Sequence, residues 1–161
     1  DIFNLPIQFN MEIDNLNHQY RILQKTCHPD RFIDSTDAEK KQSLLKSTEI
    51  NDAYQTLKDP IKRASHIINL HKKITEEVLP TEFLMQQIEW EEELEELIDL
   101  DKLNVFLDKI NDEKISIINL LTDQLDEKKD WKLALSLIGK LKFISKFYSK
   151  IQQKIFAMDL S

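Results

Sequence analysis

Residues 28–32 read HPDRF, and helix-patterned stretches lie on both sides of them. A proline disfavours helix for the residue before it and removes a backbone donor, so the pentapeptide is a loop between helices. One glycine in 161 residues, with no alternating apolar and polar runs, leaves almost no hairpin signal, and the chain reads as all-α. Working outward, helices are expected over about 11–27, 37–58 and a shorter stretch after Pro60, then over about 81–98, 101–126 and 130–159. Asn10 and Thr81 are the expected caps, Pro60 stands where a helix must have ended, and a short segment lies near residues 2–5. Between the two groups HKKITEEVLP (71–80) lacks a sustained apolar stripe and ends on Pro80. The expected organisation is therefore an N-terminal helical hairpin (1–72), a linker (73–80) and a C-terminal three-helix bundle (81–161).

Composition restricts the function. With 41% apolar and 32% charged residues the chain is of the soluble globular type. No apolar run approaches the roughly 18 residues needed to span a bilayer, and no secretory signal is visible. Cys27 is alone, which excludes an internal disulfide and fits a reducing compartment. The net charge of −7 is concentrated: residues 76–100 carry ten acidic and no basic side chains, whereas the segments before and after are close to neutral. Such a localised acidic surface argues against a nucleic-acid binder. His18, Cys27, His28, His66 and His71 have none of the short paired spacings of a metal site, so no metal or other cofactor is expected. His66, inside the apolar run ASHIINL, reads as a hydrogen-bonded structural histidine.

The helix before HPD has two opposed faces. Ile13, Leu16, Tyr20, Leu23 and Cys27 follow steps of three and four and form the buried stripe. His18, Arg21, Lys25 and His28 fall roughly opposite, on a basic front that ends at the loop. An acidic and polar stretch, DSTDAEK (34–40), follows, and the second helix closes with INDAYQTLKDPIKRA (50–64). In this setting HPD resembles the tip of a J-domain, the helical hairpin that stimulates ATP hydrolysis by a DnaK-type chaperone. The resemblance implies that His28, Pro29 and Asp30, with Arg21 and Lys25 on the basic helix, meet an acidic or polar surface of that ATPase. Pro29 fixes its own backbone angle, Asp30 can accept from a partner arginine, and His28 can donate from a ring nitrogen. A hydrolase using His28 and Asp30 as an acid–base pair is the competing reading, but no nucleophile motif or phosphate loop accompanies them. The chain is not expected to be an enzyme.

The second half holds surplus apolar residues. In FLMQQIEWEEELEELI (83–98), Phe83, Trp90, Leu94, Leu97 and Ile98 make the expected core stripe. Leu84, Met85 and Ile88 lie off it and lead into a stripe of Glu89, Glu92 and Glu96. Exposed apolar patches rimmed by charge mark partner sites. In the last helix Leu137, Leu141, Ile144, Tyr148, Ile151, Ile155 and Met158 form the core stripe, while Phe143 points about 110° away from its centre. The two off-core clusters would join if the bundle brings their helices together.

FLMQQIEWEEELEEL, the join PIKRASHIINLH and the later GKLKFISKF make nearly the whole chain similar to the HscB family, J-type co-chaperones of iron-sulfur cluster assembly, in its bacterial form. The resemblance implies an L-shaped cytoplasmic protein whose J-domain recruits the DnaK-like ATPase HscA and whose C-terminal bundle holds the cluster scaffold IscU. It puts the scaffold-binding residues at Leu84, Met85, Ile88, Glu89, Glu92, Glu96 and Phe143. The first J-domain helix is reduced here to DIFNLP, and Trp90 with Glu91 makes the acidic helix bulkier and denser in charge than the family pattern. A J-protein holding another client, such as an unfolded basic peptide, is the alternative within the same class.

Overall fold

A computed structural model describes residues 2–71 and 79–160. Among these the regular elements are helical: α1 (Ile13–Cys27), α2 (Asp37–Lys58), α3 (Pro60–His71), α4 (Thr81–Glu96), α5 (Leu100–Thr122) and α6 (Trp131–Asp159). The chain forms two compact units, residues 1–67 and 68–161, so the division falls inside α3. Of the linker expected over 73–80, residues 73–78 lie outside the described residues.

In the first unit α1 and α2 form an antiparallel hairpin with little apolar seam. Its small core is Phe3, Leu16 and Ile50, with Tyr20, Leu23, Ala53 and Leu57 packed around it. Polar pairs carry the rest of the register. Tyr54 donates to Asn17 (2.6 Å), Tyr20 to Asn51 (2.5 Å), Ser47 to Gln24 (3.3 Å) and Ser43 to the Cys27 carbonyl (2.8 Å). The α2 partner retreats from 54 to 43 as the α1 residue advances from 17 to 27, which is the antiparallel register itself. Tyr20 and Tyr54 stack with ring centroids 4.0 Å apart. The expected buried stripe of α1 holds at Leu16 but not at Ile13, which is 37% exposed at the open N-terminal end of the helix.

Local chemistry sets the helix ends. α2 begins with a reciprocal capping box, Thr36 accepting from the Glu39 amide (3.2 Å) and Glu39 from the Thr36 amide (3.3 Å). Asp59 ends it in extended conformation and accepts from the Ile61 amide at the start of α3 (2.8 Å), with Pro60 as the first helical residue. The expected caps are corrected: α1 is preceded by Glu12 and α4 by Pro80, neither with a side-chain cap bond, because each helix starts at a different residue from the one its composition marked. Residues 2–3 form a turn, not a helix. Arg63, 6% exposed, fastens that N-terminal stretch by donating to the carbonyls of Phe9 (2.8 Å) and Leu57 (2.7 Å).

The second unit contains α4, α5 and α6. The core positions Leu103, Phe106, Ile110, Ile117 and Leu121 of α5 meet Ile138, Leu141, Ile144, Phe147 and Ile151 of α6, and all are buried. A π-helical turn (Asp123–Lys128) and the left-handed Lys129 (φ 56°) reverse the chain between them, so α5 stops at Thr122, not near 126. α4 lies parallel to α6: Phe83 touches Phe143, Trp90 touches Phe147, and Glu91 pairs with Lys150. Ile98, expected in the core, is 82% exposed. Asp99 must be extended to cap α5, where it accepts from the Lys102 amide (3.0 Å), so α4 ends at Glu96 and Ile98 leaves the helical register. His66 is a surface residue instead of a structural one, because it points away from the buried side of α3 marked by Ala64, Ile67 and Ile68. His71 stacks on Trp131 at 4.5 Å.

Candidate functional site

Two surfaces collect the chemistry, one on each unit. The first is the turn after α1. His28 leaves the helix in extended conformation (φ −63°, ψ 135°), and Pro29–Phe32 follow as one 3₁₀ turn. The Asp30 amide donates to His28 Nδ1 at 3.2 Å. With Nδ1 turned onto the turn's own backbone, Nε2 is the ring nitrogen left to donate to a partner. Asp30 Oδ2 lies 3.5 Å from the same Nδ1, and its carboxylate is 84% exposed. The turn thus presents a donor and an acceptor locked to one another through a proline.

Its footing is built from residues that sequence patterning passed over. Ser43, buried on α2, holds the last carbonyl of α1. Arg31 reaches back to the Lys25 carbonyl (2.8 Å), a basic side chain on the negative end of the helix dipole. Gln24 bridges to Asn51 (2.7 Å) one turn below. The hydroxyls flanking the turn are committed to carbonyls: Thr26 donates to Leu23 (2.9 Å) and Ser43 to Cys27. Arg21 and Lys25 are exposed and one helical turn apart. Ser43 and Ser47 lie four apart in line with Ile50, a spacing that marks them as seam positions despite their polarity.

The second surface is the seam between α4 and α6. Leu84, Met85 and Ile88 are 44%, 59% and 60% exposed, with Glu89, Glu92 and Glu96 exposed beside them. Phe143 is half-buried, its ring stacked on Trp90 (6.3 Å) and Phe147 (5.5 Å) and edge-on to Phe83 (5.8 Å). Trp90 beneath it is 4% exposed, and its Nε1–H has no hydrogen-bond partner among the described residues. An open groove of about 600 Å³ joins the two helices. Ile88, Glu92 and Phe143 line it together, so the off-core clusters of α4 and α6 do meet. Leu84, Met85, Glu89 and Glu96 lie outside its lining. Gln87, Glu95 and Lys150, which sequence patterning did not single out, line it as well, together with Leu94 and with Glu91, which was marked only for its added charge. Lys150 binds Glu91 at 2.6 Å, and Lys154 Nζ donates to the Leu94 carbonyl. Among the described residues no three His, Cys, Asp or Glu converge as a metal site would require, and no helix is long and apolar enough to cross a membrane.

The family model of the DnaJ domain matches residues 4–66, and that of the HSCB C-terminal oligomerisation domain matches residues 79–154. The chain belongs to the HscB family of co-chaperones. It is 38% identical to the HscB homolog of Haemophilus influenzae over 98% of this chain and 97% of that protein. With the HscB homolog of Mannheimia succiniciproducens it shares 40% identity over 94% and 92%. Chaperone HscB from Vibrio cholerae superimposes with a TM-score of 0.86 at 36% identity, covering 94% of this chain and 93% of that one. Human HscB gives 0.88 at 26% identity over 95% and 79%. Like other HscB proteins, this one combines a J-domain, which calls for an Hsp70-type partner, with a C-terminal oligomerisation domain.

Proposed function

We propose that this HscB protein works in the cytoplasm, stimulating the ATPase of the DnaK-type chaperone HscA through its HPD turn and delivering to it the iron-sulfur scaffold IscU bound on the α4–α6 face. In this reading residues 1–72 act as the stimulating domain, 81–161 as the client domain and 73–80 as their connection. His28, Pro29 and Asp30, with Arg21 and Lys25, meet the ATPase. Leu84, Met85, Ile88, Glu89, Glu92, Glu96 and Phe143 meet the scaffold. The observation that carries the reading is the exposed, internally braced HPD turn of one unit together with the apolar and acidic face of the other.

The chemistry is association, not bond-making. Holding client and ATPase on one chain raises their effective concentration for each other, and contact with the turn then promotes hydrolysis. Leu84, Met85 and Ile88 are about half exposed already, so covering them with Phe143 recovers about 3–6 kcal/mol of the 1.5–3 kcal/mol that each full burial is worth. Association itself costs on the order of 4–15 kcal/mol, so the apolar patch alone falls short and the carboxylates must contribute. A modest affinity, around micromolar, suits a factor that releases its client.

The test is HscA ATPase turnover with this protein and IscU added separately and together. Synergy is the expected result. His28→Gln should abolish stimulation while leaving IscU binding and the melting temperature unchanged, since among the described residues the ring makes no bond outside its own turn. Stimulation that survives the substitution would remove the role assigned to the turn. Capture of some other single protein in place of IscU would reassign the client.

A further inference from the structure

α1 ends at Cys27 because Pro29 follows, and a helix end leaves its last carbonyls without partners inside the helix. Those carbonyls are met in different ways. The His28 amide donates to the Gln24 carbonyl at 2.9 Å, and the Arg31 guanidinium reaches back to that of Lys25 at 2.8 Å. Both bonds stay within α1 and its turn. The last carbonyl, that of Cys27, is met from the other helix by the Ser43 hydroxyl at 2.8 Å. Among the described residues this is the only hydrogen bond between α2 and residues 27–32.

Packing does not substitute for it. None of the four residues of the 3₁₀ turn is buried. An open cleft of about 390 Å³, lined by Cys27, Phe32, Glu39, Gln42, Ser43 and Lys46, separates the turn from the first turns of α2. Side-chain contact therefore leaves the direction of the turn loosely set on that side. The direction matters, because His28 departs in extended conformation directly after Cys27. A tilt of the Cys27 peptide would swing His28, Pro29 and Asp30 together. Ser43 is itself well placed to prevent this: its side chain is buried, and the same face of α2 is anchored by Ser47 bonding Gln24 and by Ile50 in the core.

We infer that Ser43 is the positioning residue of the HPD turn: its hydroxyl, acting through the Cys27 carbonyl, sets the direction in which His28 and Asp30 are presented to the ATPase. The inference rests on the reading of the turn as the stimulating element. Ser43 then governs how well a docked turn stimulates, not how tightly the chain docks. Docking in that reading belongs to Arg21 and Lys25 on the exposed face of α1, which Ser43 does not touch. A group that is bound but misdirected loses rate.

The experiment is HscA ATPase turnover across a titration of the full chain. Ser43→Ala should lower the maximal stimulation about two- to ten-fold, the range to which one lost neutral hydrogen bond corresponds, and leave the half-maximal concentration within about two-fold of wild type. Ser43→Thr should restore the maximum, since it keeps the hydroxyl and the cleft has room for its methyl group. In amide spectra of Ser43→Ala the His28, Asp30 and Arg31 signals should move, while that of Arg63, bonded to the Asp59 carbonyl at the far end of α2, should not. A wild-type maximum in Ser43→Ala, or a loss confined to the half-maximal concentration or to the melting temperature, would overturn the inference and leave the role of the turn intact. A folded Ser43→Thr chain as weak as Ser43→Ala would assign the effect to side-chain volume and overturn it as well. Failure of the wild-type chain to stimulate HscA would remove the reading of the turn and the inference with it.

Discussion

Arg63 is a cation with 6% of its surface exposed, held by the carbonyls of Phe9 and Leu57 and lying over the Phe9 ring at 4.7 Å. Replacing it with methionine keeps the volume but strands two carbonyls, each costing about 1–3 kcal/mol when buried without a partner. Arg63→Met should therefore lower stability by about 2–6 kcal/mol, read as a shifted urea midpoint with little change in slope. At this scale legibility depended on range. HPD could be read because its constraints are local: a fixed proline angle and side chains two residues apart. The role of Arg63 could not, because its acceptor at Phe9 is 54 residues away. Ser43 escaped notice because a hydroxyl gives no apolar signal even where it is buried on the seam.

Elements read well where a stop signal and a cap coincide. α2 spans Asp37–Lys58 as its pattern requires, since the capping box fixes one end and Asp59-Pro60 the other. α4 was harder: its first residues follow Pro80 without a side-chain cap, and its end is decided by the cap of the next helix. Phe143 shows what a helical wheel leaves out. Its angle set it off the core, yet the parallel approach of α4 brings Phe83 and Trp90 against it, beside Phe147 of its own helix. Phe143→Ala should consequently cost about 2–3 kcal/mol of stability as well as client affinity, less than a fully buried phenylalanine. Met85→Ala, at a position 59% exposed, should reduce affinity with a change in melting temperature of less than about 2 °C. Thermal unfolding run beside client titration separates the two effects, and equal melting losses would contradict the distinction.

Across the whole molecule the charge is partitioned, and that was visible in the sequence alone: residues 76–100 carry ten acidic side chains and no basic one, while Arg21 and Lys25 stand exposed on the other unit. The two surfaces should therefore attract partners of opposite sign. Stimulation of the DnaK-type ATPase should decline as ionic strength rises from about 0.05 to 0.5 M, because exposed charges separated by more than a Debye length are screened. The decline should appear in the concentration needed for half-maximal stimulation more than in the maximum itself, and a flat profile would contradict steering by the basic helix. The groove was not legible at this scale. It exists only because α4 lies alongside α6, a pairing of residues about 60 apart that no local pattern encodes.

The placement of Trp90 gives the protein an intrinsic optical reporter. Its indole stacks on Phe143, a ring lining the groove, while the other tryptophan, Trp131, stands at the start of α6 beside His71. In a Trp131→Phe background the emission of this HscB protein would come from the indole beneath Phe143 alone. Client arrival and departure could then be timed by stopped-flow fluorescence without attaching a dye to either partner.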